Sequence, residues 1–447
     1  MSFIRPGEFV LQLIKDLEHA GIETVYLRNY ENLPDDIGND VDLLVSKNMR
    51  GRAAELIRNA LPGTGWKLVR EVEFGPISLF LASSDDSQFM HLDLFDRIEW
   101  HWLEYADSAA LIARRQWNGM VHHPAPADEV ALNVLTRLVY AGVVREKHRV
   151  QAQSYLAENG QEPLISAFGS HIGVKPGRHV AGLVVKQDWE ELLRWAPEVR
   201  HGIFRHAVSH SPSSTLLGLW RYLRRASLRI LRPPGPFFVF EGADGVGKST
   251  VMEGILPFLK ELTGKSDTLM FHWKPTRKSI RIAGEPAGAA QNPRGETARS
   301  PILSMFFLGY HWLGFWFGYL RHVLPARARN RAVIGDRYAY EFFLDPARLR
   351  LSLPRWMLKF ASTTVPQPDL VICLVADPAV VVARKNELSE TEIHHYQREL
   401  TLLTTKNRRF SLLQANGSIE ENTHAARACL LSHLQSNNQW RHHGKFP

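Results

Sequence analysis

The sequence predicts an α/β protein whose C-terminal part is a parallel sheet with helices on both faces, preceded by a mixed α+β domain and a helical segment. Three observations lead to this prediction. Strand and helix patterns alternate from Phe237 onward, as in strands joined by helical crossovers. Short strands dominate residues 1–121, whereas helical periodicity alone runs from Asp128 to about residue 230. A chain of 447 residues has room for all three domains.

The first predicted domain, residues 1–121, alternates short helices and strands. Its apolar spacing predicts helices at 7–20 and 50–60, and strands at Thr24–Arg28, Val41–Val45, 66–73, 77–82 and 89–95.

The second predicted domain, residues 122–231, is helical. It opens on a proline-containing linker, His122–Pro126. One helix face then carries the apolar residues Val130, Val134, Leu135, Leu138 and Val139. It ends in the basic stretch RYLRRASLRILRPPGP, which we interpret as a solvated helix face and a linker.

The third predicted domain, residues 232–447, follows the boundary Pro233–Pro236. Its strands are predicted at 237–241, 267–272, 331–336, 369–376 and 410–415, and its helices at 248–262, 300–324, 346–361, 378–386, 390–407 and 418–435.

Charge is distributed unevenly along the chain, whose net charge is +8. Residues 1–120 hold 12 Lys/Arg against 19 Asp/Glu, residues 121–235 hold 15 against 9, and residues 236–447 hold 27 against 18. An acidic front and a basic back indicate modules that handle different ligands. Two cysteines and an N-terminus without a secretory pattern favour a reducing compartment, so we expect a cytoplasmic protein.

The segment Ser300–Leu320 contains no Asp, Glu, Lys or Arg, and its Gly314 and Gly318 form a GxxxG pattern. It is long enough to span a bilayer at about 1.5 Å per residue. However, it is aromatic, contains His311, and separates two strands of one predicted sheet. We therefore expect a buried or substrate-lining helix and no transmembrane span. Peripheral contact with a membrane or a lipid-linked substrate stays an alternative.

The strongest motif is a phosphate-binding loop, Gly242–Ser249, that matches GxxxxGK[ST] between a predicted strand and a predicted helix. Its glycines allow backbone N–H groups to surround phosphate oxygens at a helix N-terminus. Lys248 is expected to reach the β and γ phosphates, and the Ser249 hydroxyl to ligate Mg²⁺. The cofactors predicted are ATP and Mg²⁺, held by Gly242, Asp244, Gly245, Gly247, Lys248, Ser249 and Thr250.

Three segments together, FEGADGVGKST, VIGDRYAY and PDLVICLVADP, resemble the thymidylate kinase branch of the nucleoside monophosphate kinase fold. The resemblance runs from Phe237 to about Leu434. It implies that Asp336 organises Mg²⁺ or the acceptor and that Arg337 binds phosphate. Because the phosphate loop has no arginine, it also implies that Arg384 and Lys385, in the lid region, compensate charge in the transition state.

The acceptor region departs from thymidylate kinases. Where that family has an arginine-proline-glycine-glycine stretch, this chain has FHWKPTRKSIRIAGEPAG, followed by the uncharged aromatic helix. HWKP and DRYAYEFFLDPARLR resemble thymidylate kinase-like proteins that accompany bacterial polysaccharide genes. Candidate acceptor contacts are His272, Lys274, Arg277 and Arg281. The alternative, that these are ordinary surface cations, explains the sequence equally well.

Paired carboxylates mark the front domain. Asp40 and Asp42 are two residues apart on a predicted strand, which places them on one face, opposite Val41 and Leu43. Asp93 lies in the matching strand HLDLFD. Carboxylates on one face repel unless a cation lies between them, so the pattern indicates Mg²⁺.

This trio, with YLRNYENLP before it and HLDLFDRIEWHWLEY after it, resembles a minimal bacterial branch of the polymerase β-type nucleotidyltransferases. The resemblance implies that Asp40, Asp42 and Asp93 hold catalytic metal ions. Arg28-Asn29 stands where many members have Gly-Ser, and a degenerate binding domain is the alternative. The helical residues 122–231 would then bind the acceptor or connect the domains.

We expect a bifunctional enzyme: an ATP- and Mg²⁺-dependent kinase joined to a nucleotidyltransferase, acting on a small acceptor such as a sugar or sugar phosphate for surface polysaccharide. Two alternatives are a pyrimidine monophosphate (dTMP-like) kinase with a non-catalytic front domain, and a nucleotide-binding regulatory protein without turnover. The acidic front domain does not favour a nucleic-acid partner.

Overall fold

The computed structural model describes residues 4–140, 142–265, 267–282, 297–385 and 388–443. The chain divides into two compact units, residues 1–226 and residues 227–447. The finer division at residue 122 stays a prediction.

The first unit begins with an α+β part and continues as helices. The α+β part comprises α1 (Pro6–His19), β1 (Thr24–Tyr26), β2 (Val41–Val45), α2 (Arg50–Ala60), β3 (Trp66–Glu73), β4 (Ile77–Ser83), β5 (Phe89–Phe95), β6 (Ile98–Trp100), β7 (Leu103–Ala106), α3 (Ser108–Ala113), β8 (Gln116–Trp117) and β9 (His122–His123). The helices that follow are α4 (Pro126–Tyr140), α5 (Glu146–Asn159), α6 (Glu162–Ile172), α7 (Val174–Val185), α8 (Trp189–Arg194), α9 (Ala196–His210) and α10 (Pro212–Leu231). The last five residues of α10, 227–231, belong to the second unit.

The main sheet of this unit has the order β1-β2-β5-β4-β3, and only the β2/β5 pair is parallel. One face, which carries Val41 and Leu43, packs against α1 and α2. The other face, which carries Leu44, shares a core with α4, α6 and α7. Because side chains alternate along β2, Asp42 lies on the same face as Leu44, which is the face toward α4, α6 and α7. The predicted linker at His122–Pro126 is partly wrong, because His122 and His123 pair with β8 and α4 starts at Pro126.

The second unit contains β10 (Phe237–Glu241), α11 (Lys248–Gly254), α12 (Leu256–Thr263), β11 (Leu269–His272), β12 (Ile280–Ile282), α13 (Pro301–Gly318), α14 (Leu324–Ala328), β13 (Val333–Asp336), α15 (Glu341–Leu344), α16 (Arg355–Thr364), β14 (Leu370–Val375), α17 (Pro378–Arg384), α18 (Glu390–Lys406), β15 (Phe410–Gln414) and α19 (Ile419–His443). A π-helical turn, Tyr319–Val323, joins α13 to α14.

The sheet of the second unit has the order β12-β11-β13-β10-β14-β15. Strands β11, β13, β10, β14 and β15 are parallel, which confirms the predicted parallel sheet. Strand β12 adds an antiparallel edge that was not predicted. The face with Phe237 and Val239 packs against α13, α16 and α18. Helices α11 and α19 contact the sheet and each other.

Proline explains two of the helix corrections. The helix predicted at 346–361 starts only at Arg355, because Pro354 fixes its own φ and lacks the N–H that a helix interior needs. The helix predicted at 248–262 divides at Ile255, two residues before Pro257. The predicted helix at 378–386 ends at Arg384, and residue 386 lies outside the described residues.

The glycines of the GxxxG pattern in α13 contact the same chain. A Cβ on Gly318 would lie 2.3 Å from the Pro275 carbonyl oxygen, and one on Gly314 would lie 3.0 Å from Lys274 Cδ. Both glycines therefore let the segment after β11 pack closely against the helix. Among the described residues, no helix combines the length and the apolar character that crossing a membrane requires.

Candidate active site

The phosphate-binding loop connects β10 to α11. Gly245 and Gly247 have φ values of +90° and +99°, a left-handed conformation that favours glycine. A Cβ on Gly242 would lie 2.8 Å from the Leu374 carbonyl oxygen. The glycines are thus required both for the turn and for its close approach to β14.

The side chain of Lys248 fills the inside of this loop. Its Nζ donates to the carbonyl oxygens of Gly242, at 2.8 Å, and Ala243, at 2.9 Å. Burial, reinforced by the nearby Arg337, lowers the pKa of Lys248 to about 8. The ammonium is therefore held inside the loop that the motif predicts to surround a phosphate.

A cavity of about 480 Å³ opens beside the loop. Nine predicted site residues line it: Asp244, Gly245, Gly247, Lys248, Ser249, Thr250, Asp336, Arg384 and Lys385. The wall also includes Gly417, which precedes α19, and Ile419 and Asn422 of the first turn of α19. Sequence reasoning missed these three residues. A Cβ on Gly245 would lie 3.1 Å from Lys385 Cβ, so the loop and the lid region are in direct contact.

Asp336 ends β13 and lies opposite His272 of β11 in the parallel register. His272 Nδ1 donates to Asp336 Oδ2 at 2.9 Å. Burial opposes ionisation of Asp336, but the His272 hydrogen bond and the charge of Lys248 outweigh it, so its pKa lies below the usual value. The carboxylate is therefore ionised at neutral pH.

Ser249 and Asp336 have the donor types that Mg²⁺ prefers. Asp336 Oδ1 is buried and has no hydrogen-bond partner. An ionised, orphaned carboxylate oxygen in the wall that also holds the Ser249 hydroxyl fits a divalent cation.

Arg337 lies behind the loop, with its side chain 2% exposed. Its guanidinium contacts Asp244 at 2.7 Å and Glu341 at 2.8 Å. It does not line the cavity. The structure thus places Arg337, which was expected to bind phosphate, in a buried ion-pair network.

Four members of this network were not singled out from the sequence: Glu241, Glu341, Arg348 and Tyr396. Tyr396 donates to Glu341 Oε1 at 2.6 Å, and Arg348 contacts Asp244 at 3.2 Å. Burial and the neighbouring Glu341 raise the pKa of Glu241 well above its usual value. The i, i+4 spacing of Arg337 and Glu341 was the available signal.

On the predicted acceptor side, Lys274 is half-buried between the ring of Trp273, which follows β11, and the ring of Tyr310 in α13. Its Nζ lies 3.1 Å from His311 Nδ1 and 4.7 Å from the centre of the Tyr310 ring. Burial lowers the pKa of Lys274, and burial together with Lys274 lowers the pKa of His311 to about 4. Arg277 is exposed and Arg281 lies in β12.

In the first unit, Asp42 and Asp93 are direct neighbours on the parallel strands β2 and β5. Asp40 immediately precedes β2. Arg28 bridges Asp40 and Asp42, since its guanidinium contacts Asp42 and lies 3.2 Å from Asp40. Burial, opposed by Arg28, raises the pKa of Asp42 to about 6.

The third carboxylate has other partners. Asp93 accepts a hydrogen bond from Ser78, and His91 lies 3.1 Å from it. Within the described ranges, no three His, Cys, Asp or Glu side chains are arranged to hold a metal ion. With Arg28 bridging two of them, the three aspartates do not fit a metal centre in this arrangement.

The second unit has known relatives. Residues 240–426 match the family model described as thymidylate kinase. Thymidylate kinases of Burkholderia mallei and Burkholderia pseudomallei are 31% identical over 159 residues, which is 34% of this chain and 70% of theirs. The enzyme of Burkholderia thailandensis is 30% identical over the same length. A crystal structure of thymidylate kinase from Ehrlichia chaffeensis aligns at 16% identity with a TM-score of 0.32, covering 44% of this chain and 100% of that one.

The matched residues include the phosphate loop, Asp336, Arg337 and the lid region, which are the parts that form the cavity and the ion-pair network. By this similarity, the chain belongs to the thymidylate kinase family through its second unit.

Proposed function

We propose that the second unit is an ATP- and Mg²⁺-dependent kinase that transfers the γ-phosphoryl group to a small acceptor. The observation that carries the proposal is one cavity whose wall combines Lys248 and Ser249 of the loop with Asp336 and the lid residues Arg384 and Lys385. Phosphoryl transfer depends mainly on positioning and on charge stabilisation, and this set supplies both.

The roles follow from placement. The loop N–H groups and Lys248 bind the phosphates, and Arg384 and Lys385 balance the charge that develops on the transferred group. Ser249 and Asp336 would hold Mg²⁺, which when bound neutralises phosphate charge. Asp244 is a poor general base, because its pKa lies below the usual value: burial would raise it, but the charges of Arg337, Lys248 and Arg348 outweigh burial.

We infer that the acceptor is a sugar or sugar phosphate used in surface polysaccharide assembly. HWKP stands in place of the thymidylate kinase stretch. It supplies His272, which contacts Asp336, and Lys274, which contacts His311 of α13. The rings of Trp273 and Tyr310 around Lys274 provide apolar faces of the kind that sugar rings pack against.

Thymidylate is the competing acceptor, since the curated relatives at 31% identity are named thymidylate kinases. A screen of ADP release by the full chain separates the two acceptors. We expect turnover with a sugar or sugar phosphate and little with dTMP. Turnover with dTMP alone would contradict the sugar assignment, and no acceptor-dependent turnover with any compound would contradict the kinase.

We further propose that the first unit is a nucleotidyltransferase-like domain, which would make the protein bifunctional. The support is the shared face of Asp40, Asp42 and Asp93 and the register of Asp42 with Asp93. The buried Asp42 Oδ1 without a hydrogen-bond partner also fits a ligand. For this activity Arg28 must release the aspartates.

The test is transfer of a nucleoside monophosphate, followed as pyrophosphate release. Asp40→Asn with Asp42→Asn should abolish it and leave ADP formation by the second unit unchanged. Absence of pyrophosphate release from the wild type with every nucleotide and acceptor tried would favour a degenerate binding domain.

A further inference from the structure

Helix α10 turns Arg221 and Arg225 inward, toward Glu99, and several large apolar side chains outward. Arg225 is 4% exposed, whereas Leu216 is 69% and Trp220 is 64% exposed. Helices of globular proteins normally turn the apolar face toward the core. This reversal indicates that the outer face has a function.

The inner face is fixed to the first unit by polar contacts. Arg221 and Arg225 contact the two carboxylate oxygens of Glu99 at 3.1 and 2.9 Å. A Cβ on Gly218 would lie 2.4 Å from the Trp102 carbonyl oxygen, so the helix approaches that backbone closely. The orientation of α10 is therefore well determined, and its outer face is not a consequence of loose packing.

The outer face is a continuous apolar stripe. Leu216, Trp220 and Leu223 follow one another at helical spacings of four and three residues, and each is more than half exposed. Ile230 and Leu231, 57% and 76% exposed, lie on the same helix. At about 1.5 Å per residue, the helix is about 30 Å long.

The surroundings of the stripe are cationic. The sequence has no Asp or Glu between Glu198 and Glu241, and α10 itself contains four arginines. Arg224 is exposed beside the stripe. A helix with Leu and Trp on its exposed side, an exposed arginine beside them and no acidic residue has the composition of helices that lie in the interface of anionic membranes.

We propose that α10 docks the protein on an anionic lipid bilayer, with Leu216, Trp220 and Leu223 inserted among the acyl chains and Arg224 against the headgroups. A second copy of this chain does not fit the surface as well. It would bring arginine against arginine, with no carboxylate on either helix to compensate the charge. A bilayer supplies both the negative charge and the apolar phase.

The test is flotation of the full-length protein with vesicles of phosphatidylcholine, with and without phosphatidylglycerol. We expect binding only to the anionic vesicles, weakened by salt because surface charges are screened. Leu216→Gln with Trp220→Gln should reduce the partition coefficient by about tenfold or more. Arg224→Glu should reduce it on anionic vesicles.

The matched control is Val174→Gln, which changes a 68% exposed apolar residue of α7 in the same unit and should leave binding unchanged. Leu313→Gln with Phe317→Gln removes exposed apolar side chains of α13. Loss of binding in the α13 variant and not in the α10 variant would overturn the assignment. So would equal binding to neutral vesicles, no binding at all, or self-association that the α10 changes abolish.

Discussion

Asp244 of the phosphate loop and Arg337 at the end of β13 form an ion pair of 2.7 Å behind the candidate active site. Arg337 adopts a left-handed backbone conformation, with φ of +69°, and its second contact is the buried Glu341. The pair therefore joins the loop that binds phosphate to the sheet that supports it. This arrangement favours a positioning role, whereas the resemblance to thymidylate kinases implies direct phosphate binding.

Arg337→Met should destabilise the second unit. It leaves the buried Glu341 carboxylate without its cation, which typically costs about 3–5 kcal/mol, whereas Asp244 keeps Arg348. The free energy of unfolding, measured with urea, should fall by that order, and activity should fall with it. Arg348→Gln is the control, because Arg348 also contacts Asp244 but is 14% exposed and has no buried Glu341 contact. An Arg337→Met protein with unchanged stability and no activity would show instead that the guanidinium acts on the phosphate.

Lys248→Ala should lower the rate of ADP formation by about 10²–10³-fold, the usual effect of removing one donor that stabilises transition-state charge. The assay is coupled ADP release with the acceptor found by the screen. Lys260→Ala, an exposed lysine of α12, is the control and should retain full activity. Turnover that persists in Lys248→Ala would place the chemistry away from this loop.

Arg384→Ala tests the lid assignment. The side chain lines the cavity, and a role limited to the transition state should lower kcat by about 10²-fold while leaving the KM for ATP nearly unchanged. Arg408→Ala, an exposed arginine between α18 and β15, should change neither constant. A higher KM with unchanged kcat would assign Arg384 to ATP binding.

The phosphate loop and the strands around it were predictable because their signals are local. Gly242–Ser249 forms a turn whose residues determine its own conformation, and the buried strands β10 and β14 are continuous apolar runs. Strands β2 and β5 were predictable for the same reason, and the structure has them at the predicted positions, Val41–Val45 and Phe89–Phe95.

The partners of these residues were not predictable in the same way. Arg28 and Asp42 are 14 residues apart, and Tyr396 and Glu341 are 55 apart. Their contacts depend on how the sheet orders its strands, and a single sequence does not contain that information. A sequence motif identifies a side chain, but the fold decides whether it faces the cavity or the core.

His171 of α6 gives a pH prediction. Its side chain is fully buried, and both ring nitrogens lack hydrogen-bond partners. Burial lowers the pKa of His171 to about 4, against an ordinary value of 6.5, although Asp128 opposes the shift. The unfolded state thus binds more protons between these values, so stability is full above pH 6.5 and is lost as the pH falls toward 4. The loss is about 3 kcal/mol.

The measurement is hydrogen exchange of the α6 amides at several pH values, corrected for intrinsic rates. Wild-type protection should fall below pH 6.5, and His171→Leu should show a flatter profile because it cannot take up the proton. Arg114, Asp107 and His206 also act on His171 and are unchanged in the variant. Parallel profiles for the two proteins would mean that His171 does not titrate in this range.

The glycines of α13 provide a matched pair. A Cβ on Gly318 would lie 2.3 Å from the Pro275 carbonyl oxygen, whereas one on Gly309 would meet nothing within 4 Å. Gly318→Ala should therefore force the helix away from the segment after β11 and cost about 1–3 kcal/mol. Gly309→Ala should stabilise the helix by up to about 1 kcal/mol, because alanine loses less backbone entropy. Thermal unfolding of both variants checks the difference in sign. Equal stabilisation by both changes would contradict the close contact between Gly318 and the Pro275 carbonyl.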